Sequence, residues 1–525
     1  GIQILIENHG GISNNGRWLA DLLDSLAGHN VKAVADFDNW CLRRANGQLW
    51  GAPCRERYNR YQGMMELMPY AAGVSVKAFN FDAQGKESDM DYDVLFDIIH
   101  ASGYTGPLGI EYEGDDLPAR EGILRTLDLA RRSWERKPIV TTVKRQQIDE
   151  TLQGFVDSGQ IAGASALIFE KGNEVYFNTF GYADLAAKLP LERNTIMQIF
   201  SMTKPITGVA LMQLYEKGMF QLDDPVGMHL PELAELKVYV GAENGKVKTI
   251  NPNRPMTIRD LTRHTGGFYN GADIPALKKL QEQAGTRGVD HTLSELAVKM
   301  AQVPLQFHPG AQWEYGPSVD IQALLVERLS GQPFGAYLRE HVLDPLGMSQ
   351  TRYHVPAEDQ ERMSAMYVRE PDGALNQLST DEGQAFNLTE QILTPGGWGL
   401  TATLDDYQRF ARMLVNGGAL DSVRILSSET IRLMATNHLA DEVTERIWLP
   451  SKGEVGFGID FAVRLRPPSK PEENRGSVGE FFWDGAASTL FWVDPANELT
   501  AVLFVQLRPY DQIGLHRAFR KAVYE

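Results

Sequence analysis

A serine and a lysine three positions apart are the residues of this sequence best suited to chemistry. Ser201 opens the segment Ser-Met-Thr-Lys and Lys204 closes it. Pro205 fits the first turn of a helix, and the apolar residues that follow recur at helical spacing. On such a helix, side chains three apart lie on one face. The lysine ammonium and the helix N-terminus would lower the cost of removing the serine proton, so Ser201 is predicted to be a nucleophile.

This pair alone is a weak indication, because Ser-x-x-Lys arises by chance in a chain of 525 residues. Two later segments strengthen it. Tyr315 stands in Glu-Tyr-Gly-Pro-Ser before an amphipathic run, and a phenol placed by a Gly-Pro turn can relay protons. Near the C-terminal end, Trp-Asp-Gly-Ala at 483–486 precedes a strand-like run, and its small residues would let backbone N–H groups bind a developing oxyanion.

These three elements, in this order, resemble the class C β-lactamase and penicillin-binding-protein superfamily, most closely its family VIII carboxylesterases, over about residues 145–525. The resemblance implies an acyl-enzyme on Ser201, proton transfer shared by Lys204 and Tyr315, and an oxyanion hole from the N–H groups of Ser201 and Ala486. It implies hydrolysis of a small carboxylic ester, or acyl transfer, without a cofactor. Further matching segments lie at 261–266, 345–348, 396–400 and 491–495.

Two departures from the β-lactamase pattern concern the substrate. The usual Tyr-x-Asn is Tyr-Gly-Pro at 315–317, and the usual Lys-Thr-Gly is Trp-Asp-Gly at 483–485. An anionic β-lactam would lose a charge-assisted contact of about 1.5 to 3 kcal/mol and meet Asp484 instead. An ester is therefore favoured over the alternative, a β-lactamase or D-Ala-D-Ala peptidase. The residues expected to contact substrate are Trp483, Asp484, Gly485 and Ser318. His264 is expected to be structural.

The first 137 residues have a different pattern, in which short apolar runs alternate with helical ones in four βα units on a parallel sheet. Glu7, Asp36 and Glu111 stand near strand ends, where carboxylates could hold a divalent cation. The pattern resembles the last four βα units of the xylose-isomerase-like sugar phosphate isomerase/epimerase family. That resemblance implies a metal site and a further alternative activity, sugar isomerisation. Ser75 stands where the family has a metal-binding histidine.

The elements that position these residues fall into two domains. A charged segment containing Pro138 interrupts the βα pattern. We therefore predict a partial TIM barrel over 1–137, a linker over 138–145, and an α+β domain over 146–525 whose sheet is built from both of its ends. Half a barrel leaves strand edges to be covered, either by a second copy in a homodimer or by the hydrolase domain.

The composition of the chain limits the classes of molecule that this protein is expected to bind. The net charge of −17 argues against nucleic acid and anionic membranes, which leaves a small-molecule ester as the expected partner. No run approaches the roughly 18 apolar residues of a membrane span, and the first residues do not form a signal-peptide pattern. Cys41 and Cys54 are too few for a disulfide framework, so reduced thiols and a cytoplasmic location are predicted.

Overall fold

The computed structural model describes residues 3–48, 52–82, 85–135, 138–243 and 246–525. The described chain forms an N-terminal unit, up to residue 135, on a parallel sheet and a C-terminal unit, from residue 138, on an antiparallel sheet. Among the described helices, none combines the length and the apolar character that crossing a bilayer requires.

Four parallel strands form the sheet of the N-terminal unit, in the order β1-β2-β3-β4. They alternate with four helices, as the sequence pattern predicts. The strands are β1 Ile4–Glu7, β2 Val31–Asp36, β3 Ala71–Ala78 and β4 Leu108–Tyr112, and the helices are α1 Gly16–Ser25, α2 Arg60–Leu67, α3 Tyr92–Ala101 and α4 Ala119–Trp134.

The two faces of this sheet have different surroundings. Val74, Val76 and Ala78 of β3 point to one face and lie in a core that the helices complete. On the opposite face Leu5 is 45% exposed. Within the described residues the sheet has two edges, β1 and β4, and does not close. The four-unit parallel sheet is therefore present as predicted, but the structure shows an open sheet and no barrel.

A disulfide joins Cys41 and Cys54, so the prediction of two reduced thiols is wrong. The two residues lie on paired strands, Cys41–Arg44 and Cys54–Arg57, which bring their Cα atoms to 5.8 Å. That separation lies within the range that a disulfide spans. The sequence argument for a reducing compartment, which supported the cytoplasmic location, is thereby removed.

The C-terminal unit is built on an eight-stranded antiparallel sheet in the order β8-β9-β10-β11-β12-β5-β6-β7. Strand β5 pairs with β12 from Glu170 opposite Leu499 to Ser165 opposite Phe504. The sheet thus joins strands from both ends of the unit, as predicted. The strands are β5 Gly163–Glu170, β6 Asn173–Asp184, β7 Leu189–Pro190, β8 Val455–Phe457, β9 Ala462–Arg464, β10 Phe481–Asp484, β11 Leu490–Asp494 and β12 Leu499–Phe504.

Helices cover both faces of this sheet. Neighbouring residues of β11 show the two layers: the ring of Phe491 lies 4.9 Å from Tyr407 on one side, and that of Trp492 lies 5.5 Å from Phe519 on the other. These rings belong to the core. The main helices are α5 Thr142–Asp157, α6 Thr203–Glu216, α7 Pro275–Ala284, α8 Leu293–Met300, α9 Ser318–Ser330, α10 Leu404–Val415 and α11 Leu515–Tyr524.

Shorter elements connect these layers. The short helices are Val226–His229, Ile258–Thr262, Phe334–Leu338, Thr380–Gly383, Ala385–Leu388 and Ser428–Met434. The remaining paired strands are Met197–Gln198 with Thr401–Ala402, Val238–Glu243 with Lys246–Ile250, Trp313–Glu314 with Arg446–Ile447, Ala419–Leu420 with Val423–Arg424, and Tyr367–Arg369 with Leu375–Gln377 and Leu507–Arg508.

The N-terminal unit packs against the C-terminal unit of the same chain. Val478 of the C-terminal unit is buried in the core of the N-terminal unit, and α3 contacts the turn Pro495–Asn497. In the connecting segment, the Glu170 carboxylate accepts hydrogen bonds from the N–H groups of Ile139 and Val140. The predicted linker overlaps the first turn of α5, which begins at Thr142.

Candidate active site

Ser201 lies in the 3₁₀ turn Phe200–Met202, immediately before α6. Phe200 has φ +44°, a backbone region that costs a bulky side chain energy and that persists where the surroundings impose it. Strand β10 packs against this turn. A Cβ on Gly485, just after β10, would lie 2.6 Å from the carbonyl oxygen of Ile199, so this close approach requires glycine.

Lys204 lies beside the predicted nucleophile. Its buried Nζ donates to Ser201 Oγ at 3.2 Å and to the carbonyl oxygen of Gly397 at 2.6 Å. The helical spacing of three therefore brings the two side chains together, as the sequence analysis expected. The Gly397 carbonyl, which comes from a distant segment, fixes where the amine sits.

Tyr315 completes the group. Its ring centroid lies 4.6 Å from Lys204 Nζ, and its hydroxyl accepts a hydrogen bond from Trp483 Nε1 at 3.4 Å. Its carbonyl oxygen accepts from Asn270 Nδ2 at 2.7 Å, which anchors the turn from a neighbouring loop. The three residues predicted to be catalytic thus meet at one place, with the Ser201 hydroxyl and the Tyr315 ring both beside the Lys204 amine.

His264 has no contact with Ser201 that would make it a base. Its buried ring packs against Tyr315 at 4.9 Å and Phe457 at 5.3 Å, and within the described residues neither ring nitrogen has a hydrogen-bond partner. Burial, together with the Lys204 charge, holds the pKa of His264 well below its ordinary value. The neutral ring packs against Tyr315, which fits the predicted structural role.

Ala486, predicted to share the oxyanion hole with Ser201, lies in the tight turn after β10. Gly485 N–H donates to Thr489 O and Ser488 N–H donates to Gly485 O, each at 2.9 Å. Within the described part of the chain, the Ala486 N–H donates to no other group. The turn rests against the Ser201 segment through Gly485. This arrangement leaves the amide available to an oxyanion.

Trp483 and Asp484, predicted to contact substrate, are instead buried behind the site. The Asp484 carboxylate binds the buried ammonium of Lys452 and accepts from the hydroxyl of Tyr510 at 2.7 Å. Asp484 is therefore neutralised inside the protein and does not face an incoming substrate. The sequence argument that an anion would meet Asp484 is wrong, because a lysine from another segment lies beside the Trp-Asp-Gly triplet.

Lys452 also sits among aromatic rings, with Nζ 4.3 Å from the ring of Trp448 and 5.1 Å from that of Trp483. Trp448 has φ +71°, is 38% exposed, and lies 5.5 Å from the Tyr315 ring. These contacts make Trp448 an exposed aromatic surface beside Tyr315. No motif in the sequence marked Trp448 or Lys452. The strained backbone angle of Trp448 can be seen only in the folded structure.

Two cavities flank the catalytic residues. One of about 310 Å³ is lined by Lys204 and Tyr315, and one of about 170 Å³ is lined by Phe200, the residue before Ser201. Trp398 lines both. Ser318 was predicted to bind substrate, but it is 3% exposed at the start of α9 and lines neither cavity. The larger cavity is instead bordered by residues that sequence reasoning did not single out, including Phe268, Tyr269, Arg287 and Trp398.

The carboxylates predicted to bind metal surround a lysine instead. Lys77 Nζ lies 3.4 Å from Asp36 Oδ2 and 3.5 Å from Glu111 Oε2, while Glu7 pairs with His9. Within the described residues, no group of three His, Cys, Asp or Glu side chains is arranged to hold a metal ion. In this structure a buried ammonium occupies the point where the Asp36 and Glu111 carboxylates converge, and the metal site stays a prediction.

An antiparallel sheet between helical layers, with serine, lysine and tyrosine meeting beside strand β10, defines a serine hydrolase. The chain belongs to the beta-lactamase family: the sequence model described as Beta-lactamase matches residues 148–524.

Similar proteins cover the same region. Protein Rv1367c of Mycobacterium tuberculosis (strain ATCC 25618 / H37Rv) is 33% identical over 364 residues, which is 68% of this chain and 89% of that protein. Lovastatin esterase of Penicillium rubens is 27% identical over 404 residues, 72% of this chain and 98% of that protein. The solved structure of the LovD6 mutant of simvastatin synthase from Aspergillus terreus covers 73% of this chain and 95% of its own, with TM-score 0.63 and 25% identity.

Proposed function

We propose that this protein hydrolyses small carboxylic esters through an acyl-enzyme on Ser201. The observation that carries the proposal is the hydrogen bond between Lys204 Nζ and Ser201 Oγ at 3.2 Å, with the Tyr315 ring against the same amine. That geometry places an amine within proton-transfer distance of the hydroxyl that attacks.

The reaction follows from these positions. Ser201 Oγ attacks the ester carbonyl carbon while its proton passes to the Lys204–Tyr315 pair. These two residues share the role of general base. The carbonyl oxygen becomes an oxyanion that accepts from the N–H groups of Ser201 and Ala486. Collapse of this intermediate breaks the bond to the alcohol, which takes up the proton and leaves. Water then attacks the acyl-Ser201 carbonyl, gives up its proton to the same pair, and releases the acid.

The acceptor of the acyl group need not be water. A second alcohol that enters a flanking cavity would take the acyl group by the same steps. The similarity to lovastatin esterase and to the acyltransferase calJ of Penicillium decumbens supports a site that serves both reactions. A lactam is disfavoured because the turn at 315–317 reads Tyr-Gly-Pro and lacks the amide of Tyr-x-Asn. The proposed hydrolase chemistry needs no cofactor.

The test is Ser201→Ala, assayed on a series of 4-nitrophenyl esters beside nitrocefin. Turnover of the esters should fall by about three orders of magnitude or more, because the covalent nucleophile is lost. Ser158→Ala, at an exposed position, should leave turnover unchanged. EDTA should have no effect on the wild-type protein. Retention of more than a few per cent of activity in Ser201→Ala would show that another residue is the nucleophile.

For the N-terminal unit we propose descent from a sugar isomerase-like barrel and a present role as a docking element. The order of its four parallel βα units supports the resemblance. The ammonium of Lys77 among the carboxylates argues against retained metal-dependent isomerisation, since it already neutralises the charge that a cation would bind.

A further inference from the structure

The larger catalytic cavity has a cation at its mouth. Phe268, Leu296, Met300 and Val303 give it apolar walls, and Lys204 and Tyr315 line it on the catalytic side. The exposed Arg287 also lines it, in the loop between α7 and α8. A volume of about 310 Å³ is at the lower end of what small-molecule sites offer. A ligand held here would therefore reach from the catalytic residues to the guanidinium.

The Arg287 side chain is positioned by contacts with uncharged residues. Its Nε donates to the amide oxygen of Gln281 at 3.2 Å, and its Nη2 lies 3.2 Å from where a Cβ on Gly271 would be. Among the described residues, no carboxylate lies within 4.0 Å of the guanidinium to form an ion pair. By contrast, Arg193 binds Glu174 and Asp405, and Arg259 binds Asp223.

A positioned arginine with no acidic partner among the described residues, on a cavity of mixed polar and apolar lining, has the chemistry of a carboxylate receptor, because its planar fork matches two carboxylate oxygens. We propose that Arg287 binds a carboxylate of the substrate, so that the preferred esters are anionic. This inference rests on the proposed ester hydrolysis. The carboxylate could belong to the acyl chain, as in a half-ester of a dicarboxylic acid, or to the alcohol, and the probes below separate these sources.

Two matched pairs of esters test the proposal. Mono(4-nitrophenyl) glutarate carries a carboxylate on the acyl side, and 4-nitrophenyl pentanoate is its neutral partner of equal chain length. Sodium 4-acetoxybenzoate carries the carboxylate on the alcohol side, and methyl 4-acetoxybenzoate is neutral. The wild-type kcat/KM should favour the anionic member of one pair. That pair identifies the side of the ester that faces Arg287.

Arg287→Met should lower kcat/KM for that anionic ester about tenfold, a moderate loss because the guanidinium is partly in solvent. Its neutral partner should change by less than about twofold, Arg287→Lys should retain part of the preference, and added salt should weaken it. Lys279→Met removes an exposed charge from the neighbouring helix α7 and should leave the preference intact. If Arg287→Met lowers both members of each pair equally, or neither, the proposal is wrong.

A binding measurement separates this proposal from the proposed function. Monomethyl glutarate should bind to the wild-type protein more tightly than dimethyl glutarate by calorimetry, and Arg287→Met should remove the difference. If the esters are not cleaved but this Arg287-dependent difference is observed, the hydrolase proposal fails and the carboxylate site stands. Equal binding of monomethyl glutarate and dimethyl glutarate by the wild-type protein would overturn the carboxylate site.

Discussion

Lys452 and Asp484 form a buried ion pair behind Tyr315, the tyrosine proposed to shuttle protons. Both side chains are almost completely excluded from solvent, and the Tyr510 hydroxyl accepts a hydrogen bond from Lys452 and donates one to Asp484. Burial lowers the pKa of Lys452, but Asp484 opposes that effect. Such a pair contributes little net stability compared with apolar residues, yet removal of one partner leaves a buried charge unpaired. The pair also fixes Trp483, whose indole N–H reaches the Tyr315 hydroxyl.

Lys452→Met and Asp484→Asn should each lower the free energy of unfolding by about 3 to 5 kcal/mol, and the double variant should lose less than the sum. Since Trp483 would lose its support, kcat for ester hydrolysis should fall more than KM rises. Urea unfolding and ester kinetics measure both effects. Arg43→Ala removes half of an exposed ion pair with Glu56 and should cost less than about 1 kcal/mol. Single variants as mild as this control would contradict the role of the pair.

Contacts between side chains that are near in sequence could be predicted here, whereas contacts made by tertiary packing could not. Ser201 and Lys204 share a helix face, so their proximity follows from three residues of spacing. The environment of Asp484 depends on Lys452, which lies in the separate short helix Leu449–Lys452 and carries no motif. Without that partner the aspartate was predicted to face the substrate.

Helix α2 carries a carboxyl group whose protonation is linked to stability. Glu66 is buried, accepts from Tyr58 OH at 2.9 Å and from Gln62 Nε2 at 3.1 Å, and has its pKa raised to about 7 by burial. The helix packs closely here, since a Cβ on Gly63 would overlap the ring of Trp40. The close packing explains why water does not reach the carboxyl group.

The sign of the pH effect follows from the two states. Between about pH 4.5 and pH 7 the folded protein keeps a proton on Glu66 that the unfolded chain releases, so stability is lost as pH rises through this window. Glu66→Gln stays neutral. The free energy of unfolding of this variant, minus that of the wild type, should therefore be larger at pH 8 than at pH 5, by an amount on the order of 3 kcal/mol. Denaturant unfolding at both pH values measures this. An equal effect at the two pH values would contradict it.

At the element scale, hydrophobic pattern and order predicted the four parallel βα units and the sheet assembled from both ends of the C-terminal unit. The hairpin of Cys41–Arg44 with Cys54–Arg57 was not predicted, and the disulfide was missed with it. Two cysteines 13 residues apart give no sequence indication of pairing until the hairpin aligns them.

Across the whole molecule, docking of the N-terminal unit leaves one sheet face and the edge strand β1 exposed, with Ile4 58% and Leu5 45% accessible. An open edge with apolar side chains favours pairing with another chain. We expect the full chain to form a dimer at micromolar concentration, measured by light scattering. Leu5→Glu should shift it to monomer, whereas Leu185→Glu, at an exposed position of the C-terminal unit, should not. A wild-type chain that stays monomeric would show that intramolecular docking is sufficient.

The pairing of β5 with β12 sets the order in which a ribosome can complete this protein. Glu170 and its partner Leu499 are separated by 499 − 170 = 329 residues, or roughly 15 to 65 seconds of synthesis at about 5–20 residues per second. The sheet of the N-terminal unit can form early in that interval. Strand β5, by contrast, keeps one edge unpaired until β12 has been synthesised. Strand β10, against which the Ser201 turn packs, also emerges late. The nascent C-terminal unit therefore carries an unpaired strand edge for most of its synthesis, and the turn that holds Ser201 finds its packing partner only near the end.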